Sequence, residues 1–245
     1  MEISLAAEKI AHIGSFNLTN SLLLSWIAST FLIVGAYVGS RKIQVIPNSV
    51  QNFFESIIEL LFNLVNSVLE DEKATRRYFP LLATIFIFVM TNNWLGLLPG
   101  VGPIGIFEHK HGETILVPLF RGANADLNTT LALAIVAVIA VQVFGVAAIG
   151  AVKYAKKFIN FNGPINFFVG ALELISEFSK MVSFSFRLFG NIFAGEVLLM
   201  VVGHLAPYAA PLPFFILELF VGMIQALVFM MLTLVFIKGA IHEAH

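Results

Sequence analysis

The chain has 245 residues, of which 58% are hydrophobic and 12% charged, with a mean hydropathy of +0.90; a soluble domain is far less apolar, so lipid is its main solvent. The formal net charge of −1, with Lys and Arg scattered at the ends of apolar runs, argues against a nucleic-acid partner. The absence of cysteine excludes disulfides, thiolate zinc sites and cysteine nucleophiles.

In chain order, the first twenty residues carry Glu2, Glu8 and Lys9 and lack the basic start and early apolar core of a signal peptide, so the N-terminus is expected to be retained. A first span is expected over 21–40, ending at Arg41 and Lys42. From 47 to 70, Val50, Phe53, Phe54, Ile57, Ile58, Leu61, Leu64, Val65 and Val68 recur at helical spacing with Gln51, Asn52, Glu55, Glu59 and Asn66 between them. That pattern predicts an amphipathic helix lying in the membrane interface, with Pro47 near its start. Further spans are expected over 79–99 and 128–152, separated by a polar loop at 100–127 that carries Glu108, His109, His111, Glu113 and Asp126. The apolar stretch 164–204 would be about 60 Å long as a helix, roughly twice the hydrocarbon thickness, so it must tilt, bend or split. A last helix is expected over 213–237, before Lys238 and the tail from His242 to His245. The expectation is one all-α membrane domain over 1–245, with about five membrane helices, an interfacial amphipathic helix, and two long tilted helices at the C-terminal end.

Lys and Arg set the orientation, because cytoplasmic flanks carry an excess of both. With the N-terminus outside and the C-terminus cytoplasmic, nine lie inside: Arg41, Lys42, Lys73, Arg76, Arg77, Lys153, Lys156, Lys157 and Lys238. Three, Lys9, Lys110 and Arg121, lie outside. The other two, Lys180 and Arg187, fall within the long fourth region.

That region also holds Glu173, Glu177, Asn191 and Glu196 among Phe, Leu, Ile and Val, and the last helix adds Glu218 and Gln225. An ion at the bilayer centre costs on the order of 2.5–3.5 kcal/mol on insertion scales and marks function by default. Glu173, Glu177 and Lys180 lie near the cytoplasmic end, where they could either snorkel to water or line a cytoplasmic access path. Arg187 lies deeper, and its guanidinium does not shed its proton. It needs a purpose or a partner; a salt bridge to Glu196 or Glu218 is the plainer alternative. Arg187 and Asn191 share a helix face, whereas Glu196, nine residues on, points about 180° away. Glu218 and Gln225, seven apart, line one stripe of the last helix. Arg187 is thus expected to face a partner outside the chain, with the carboxylates lining a wet crevice inside it.

The segment Ser185 to Glu196, SFRLFGNIFAGE, resembles the signature of subunit a of rotary F-type ATP synthases. Glu218 followed by GMIQALVFMMLTLVF, the NADLN of Asn124 to Asn128, and the His-ended tail extend the resemblance over most of the chain. It implies a non-catalytic stator subunit in a bacterial plasma membrane, beside a rotor ring of c subunits and the peripheral-stalk b subunits. Two offset half-channels would pass protons, or sodium ions, to and from the ring carboxylates. By the match, Arg187 is the gate between the half-channels; Asn191, Glu196, Glu218 and Gln225 polarise or line the outer half-channel and the ring-facing surface. Asp126 and Asn128 resemble residues at its mouth. No cofactor or metal is implied. Two departures stand out: many relatives have a Glu and a His at the positions of Glu196 and Glu218, and often a proline at that of Met181.

The competing reading of the same buried charges is a secondary transporter or stand-alone channel, which would act without partners. An intramembrane enzyme finds no support in motifs: there is no HExxH, no Gly-x-Ser-x-Gly elbow and no P-loop. The charge asymmetry makes a direct prediction about topology. An impermeant thiol reagent applied from the cytoplasmic face should modify Lys156→Cys and leave Glu113→Cys untouched; the opposite pattern would invert the proposed orientation.

Overall fold

The computed structural model describes residues 7–13, 16–41, 43–98, 101, 104–110, 113–158, 164–207 and 209–242. Lys42, His111 and the end of the tail, 243–245, lie outside the described residues. Among these residues the chain forms seven α-helices, six of them long and apolar enough to cross a membrane. They are α1 (Asn20–Ser40), α2 (Ser49–Leu69), α3 (Glu72–Gly96), α4 (Leu127–Ile149), α6 (Pro164–Leu205) and α7 (Pro211–His242), with a short α5 (Ala151–Phe158) after α4. Such a chain is a polytopic all-α membrane protein, since a helix satisfies its own backbone where no water is available to do so.

Local chemistry sets the ends of these helices. The side chains of Thr19, Asn48, Asp71 and Asp126 each accept a hydrogen bond from a backbone N–H in the first turn of α1, α2, α3 and α4 respectively. Helix α2 stops where Glu70 turns into the left-handed region, φ 59°, and α4 stops at Gly150, φ 92°, a conformation in which glycine has no Cβ to clash. Pro80 sits inside α3 without ending it. Of the six long helices α2 is the most one-sided. Its Leu61, Val65 and Leu69, at four-residue spacing, are buried in the core, while Val50, Phe53, Phe54, Ile58 and Leu60 remain exposed.

The polar stretches outside the helices are not structureless. Strands β1 (Lys9–Ile13) and β2 (Phe16–Thr19) form an antiparallel hairpin, as do β3 (Gly105–Lys110) and β4 (Glu113–Pro118). The segment expected as a loop at 100–127 therefore folds in part as a hairpin, whose ladder satisfies backbone groups that a loop would leave to water. A 3-10 turn, Ala123–Ala125, then leads into α4.

Helices α3, α4, α6 and α7 pack around one core, with Leu82, Val89, Ala134, Leu188, Met230 and Leu234 fully or nearly fully buried. Phe184 of α6 lies between Phe229 and Phe236 of α7, at ring-centroid distances of 5.1 and 5.2 Å. The region 164–205 stays a single helix of 42 residues rather than splitting, which at 1.5 Å per residue makes it roughly twice the hydrocarbon thickness, so it must run steeply inclined.

Helix α3 and the segment before α4 approach backbone to backbone: a Cβ on Gly96 would lie 2.9 Å from Gly122 Cα. Neither side can move aside as a side-chain tip could. Gly96→Ala should therefore destabilise the chain by about 1–3 kcal/mol, the usual range for overpacking, measured as a lower midpoint in denaturant titration of the protein in detergent. Gly239→Ala, with open space around the new methyl group, should not lower the midpoint.

Candidate functional site

Arg187 lies near the middle of α6, and its side chain is exposed on the helix surface. Among the described residues its polar contact is with Ser183 Oγ, one turn back, at 3.4 Å. No described carboxylate pairs with it. It borders a shallow cleft with Phe184 and Leu188 of α6 and Gln225, Val228, Phe229 and Leu232 of α7, so α7 brings Gln225 beside Arg187. The face around Arg187 is distinctive: Ser176, Ser179, Ser183, Gly190, Asn191 and Ala194 are all exposed, at steps of three or four residues on either side of it. Nothing lies within 4 Å of where a Gly190 Cβ would stand. Small side chains thus leave room beside the cation for another helix to come close.

The plainer alternative, a salt bridge from Arg187 to Glu196 or Glu218, is not what the chain forms. Glu196 instead faces Arg121, with Nε 3.6 Å from its Oε2, and the Arg121 guanidinium also sits 5.7 Å from the centroid of the Phe193 ring. Arg121 is only 7% exposed. In the sequence it reads as one more outside cation flanking a polar loop; its burial arises because the backbone from 119 to 126 folds inward over α3 and α6. The signal available beforehand was its place five residues ahead of the acidic cap of α4.

Glu218 is 6% exposed, and its carboxylate lies against Gly195 of α6, where any Cβ would overlap it. Glycine at 195 is what allows the acid on α7 to reach the backbone of α6. Close by, Asn93 of α3 donates to Gly222 O at 2.8 Å and accepts from Asn124 Nδ2 at 2.7 Å. Trp94 Nε1 donates to Leu219 O at 3.1 Å. These bonds tie α3, the 3-10 turn and α7 into one partly buried polar layer with Glu218, Glu196 and Arg121. Asn93 and Asn124 were not singled out from the sequence as candidates.

Asp126 is buried, caps α4 through Asn128 N–H at 3.0 Å and accepts from Ser21 Oγ at 2.8 Å. Asn128 is exposed and its amide also donates to Asp126, at 3.2 Å. Together they pin the start of α4 to the start of α1.

Toward the other end of α6, Glu173 pairs with Lys157 at 2.9 Å and Glu177 with Lys180 at 2.6 Å. Glu177 further accepts from Gln142 Nε2 at 2.9 Å, and Gln142 in turn accepts from Tyr154 OH at 2.6 Å. Gln142 on α4 and Tyr154 on α5 extend this set beyond the three residues named from sequence. Tyr154 reaches it because Gly145 leaves the space that its ring fills. Along α6, then, a polar layer lies on each side of Arg187, with Arg187 between them on the exposed face.

Comparison with known proteins gives a consistent result. The sequence pattern of the family described as ATP synthase A chain matches residues 22–238. The chain is 34% identical to ATP synthase subunit a of Campylobacter fetus subsp. fetus (strain 82-40), covering 98% of this chain and 96% of that one. It is 36% identical to the subunit a of Campylobacter jejuni subsp. jejuni serotype O:23/36 (strain 81-176), over 87% of each chain. Against that of Trichlorobacter lovleyi (strain ATCC BAA-1151 / DSM 17278 / SZ) it is 32% identical, over 99% of this chain and 96% of the other. Matched over nearly its whole length, the chain belongs to the ATP synthase A chain family, the non-catalytic stator subunit of the membrane sector, which takes part in ion translocation coupled to rotation.

Proposed function

We propose that Arg187 is the gate of the ion path and faces the carboxylates of a rotor ring of c subunits. The observation that carries this is an exposed guanidinium partway along a membrane helix, without a carboxylate partner among the described residues, set in a stripe of small side chains. A cation so placed costs too much against lipid to stand alone; a passing carboxylate from outside the chain relieves that cost. Its positive charge favours the ionised form of the ring carboxylate, which promotes release of the bound ion, and it repels cations that would otherwise leak straight through.

The two polar layers then serve as the offset half-channels. Glu196, Glu218 and Gln225 line the outer one and the ring-facing surface with Asn191, and Asp126 and Asn128 stand at its mouth. Glu173, Glu177 and Lys180 line the cytoplasmic one. The ion is a proton or a sodium ion. The chain sits in a bacterial plasma membrane with its N-terminus outside and its C-terminus in the cytoplasm. Helix α2 lies in the interface, and the peripheral-stalk b subunits hold the chain still. As a domain, residues 1–245 act as one unit.

Arg187→Ala should abolish ATP-driven pumping in reconstituted vesicles while leaving assembly intact; an assembled variant that pumps normally would remove Arg187 from the gate. A steric companion tests the face rather than the charge. Gly190→Leu places a bulky group beside Arg187, at a position where nothing lies within 4 Å of the new Cβ. It should cut pumping by about tenfold through lost close packing, and unchanged pumping would mean that no helix approaches this stripe.

A further inference from the structure

We infer that Tyr154, Gln142 and Glu177 form a hydrogen-bonded tether that keeps the Lys180 ammonium neutralised and folded against α7, so that Arg187 alone presents a positive charge on the exposed face of α6. Tyr154 and Gln142 act as positioning residues, through Glu177. This rests on the gate and half-channel assignments above and concerns the second strong cation of the same helix.

Helix geometry makes Lys180 a hazard for the gate. It lies seven residues before Arg187, which is about 10.5 Å along the axis and about 20° around it. An extended Lys180 side chain would therefore stand on the face that exposes Ser176, Ser179 and Ser183. The structure shows it turned away. Its Nζ donates to Glu177 Oε1 at 2.6 Å and lies 4.7 Å from the centroid of the Phe236 ring on α7. The side chains of Lys180 and Glu177 are 24% and 13% exposed, so both ends of the pair are shielded, whereas Arg187 stands exposed.

A pair three residues apart on one helix does not by itself fix which way its side chains lean; here α4 and α5 do. Gln142 Nε2 donates to Glu177 Oε2 at 2.9 Å, and Gln142 Oε1 accepts from Tyr154 OH at 2.6 Å. A phenol donating to the amide oxygen leaves the amide nitrogen aimed at the carboxylate. Glu177 thus gives one oxygen to α4 and the other to Lys180. Tyr154 is buried and fills the space at Gly145, and α5 is held at its far end, where a Cβ on Gly170 would overlap Phe158 O. Glu173, the other acid on this part of α6, is engaged by Lys157. A Lys180 ammonium released from the tether would stand beside the path from the cytoplasm to the ring. A nearby cation favours the ionised form of a carboxylate, so it would oppose loading of the ring from the cytoplasm without opposing release toward it.

The test compares two rates in vesicles carrying the whole synthase, normalised to complex content: ATP-driven formation of a membrane potential, and ATP synthesis driven by an imposed proton and sodium gradient. The first loads the ring from the cytoplasmic side; the second releases ions there. Glu177→Gln should slow pumping about tenfold and synthesis several-fold less, and adding Lys180→Met should restore most of the pumping. Tyr154→Phe, which keeps the ring in its seat, should show the same bias at about two- to threefold, again relieved by Lys180→Met; this arm decides the matter if Glu177→Gln fails to assemble. Equal losses in the two directions, no recovery on adding Lys180→Met, or unchanged rates would each overturn the tether, because a Glu177 that merely packs α4 against α6 gives no directional bias and no rescue by charge removal. Arg187→Ala in the same vesicles separates the two levels: if it pumps, the gate assignment fails, and if it is inactive while the other results go the wrong way, only this inference does.

Discussion

A charge in the hydrocarbon of a bilayer must be neutralised, hydrogen-bonded or aimed at something outside its own chain, and the arrangement of α6 and α7 follows from that constraint. Glu173 has Lys157, Glu177 has Lys180 and Gln142, and Glu196 has Arg121. Each pair joins different elements or successive turns, so meeting the electrostatic demand also fixes how the helices sit. Among the described residues Arg187 and Glu218 have no ion-pair partner, and of the two only Arg187 stands exposed, on the open face of α6.

The polar layers do more than hold charges. Near Glu218 on α7, Asn93 and Asn124 connect α3 and α7 through amide groups in a region where a backbone carbonyl such as that of Gly222 is available to accept. Toward the start of α6, Tyr154, Gln142 and Glu177 form a chain of hydrogen bonds running from α5 through α4 to α6. Such chains specify a unique packing when fully satisfied. Glycines at 96, 145 and 195 admit the close approaches that these layers need, each to a different kind of neighbour: backbone, aromatic ring and carboxylate.

How much of this could be read from the sequence depends on the range of the interaction. The helical membrane architecture was legible because long apolar runs are a local property, and so was the isolation of Arg187 as a cation among Phe, Leu and Ile within its own segment. The partners were not legible. That Glu196 meets Arg121 depends on the backbone between 119 and 126 folding inward, and no periodicity in α6 reports on a loop 75 residues upstream. The helical-angle argument separated Arg187 from Glu196 correctly, because four-residue and nine-residue offsets follow from helix geometry alone. The two hairpins escaped for another reason: the segments are short and polar, and their pairing depends on turns whose signals are weak beside those of the apolar runs. Gln142 and Tyr154 were hidden because a single glutamine in an apolar helix and a single tyrosine in a short basic one carry no pattern.

Helix α6 has one further consequence, which is mechanical. Its only proline is Pro164, in the first turn, so nothing of the usual kind interrupts the run of backbone hydrogen bonds over 42 residues. It is braced near one end by the Lys157–Glu173 pair and toward the other by the Arg121–Glu196 pair, with the exposed face between the two supports. A rod supported at both ends and loaded in the middle deflects far less than a cantilever of the same material. With the exposed face read as the proposed rotor-facing surface, such bracing would keep the gap between the two surfaces constant under torque, so that the work of rotation would not be dissipated in bending the stator.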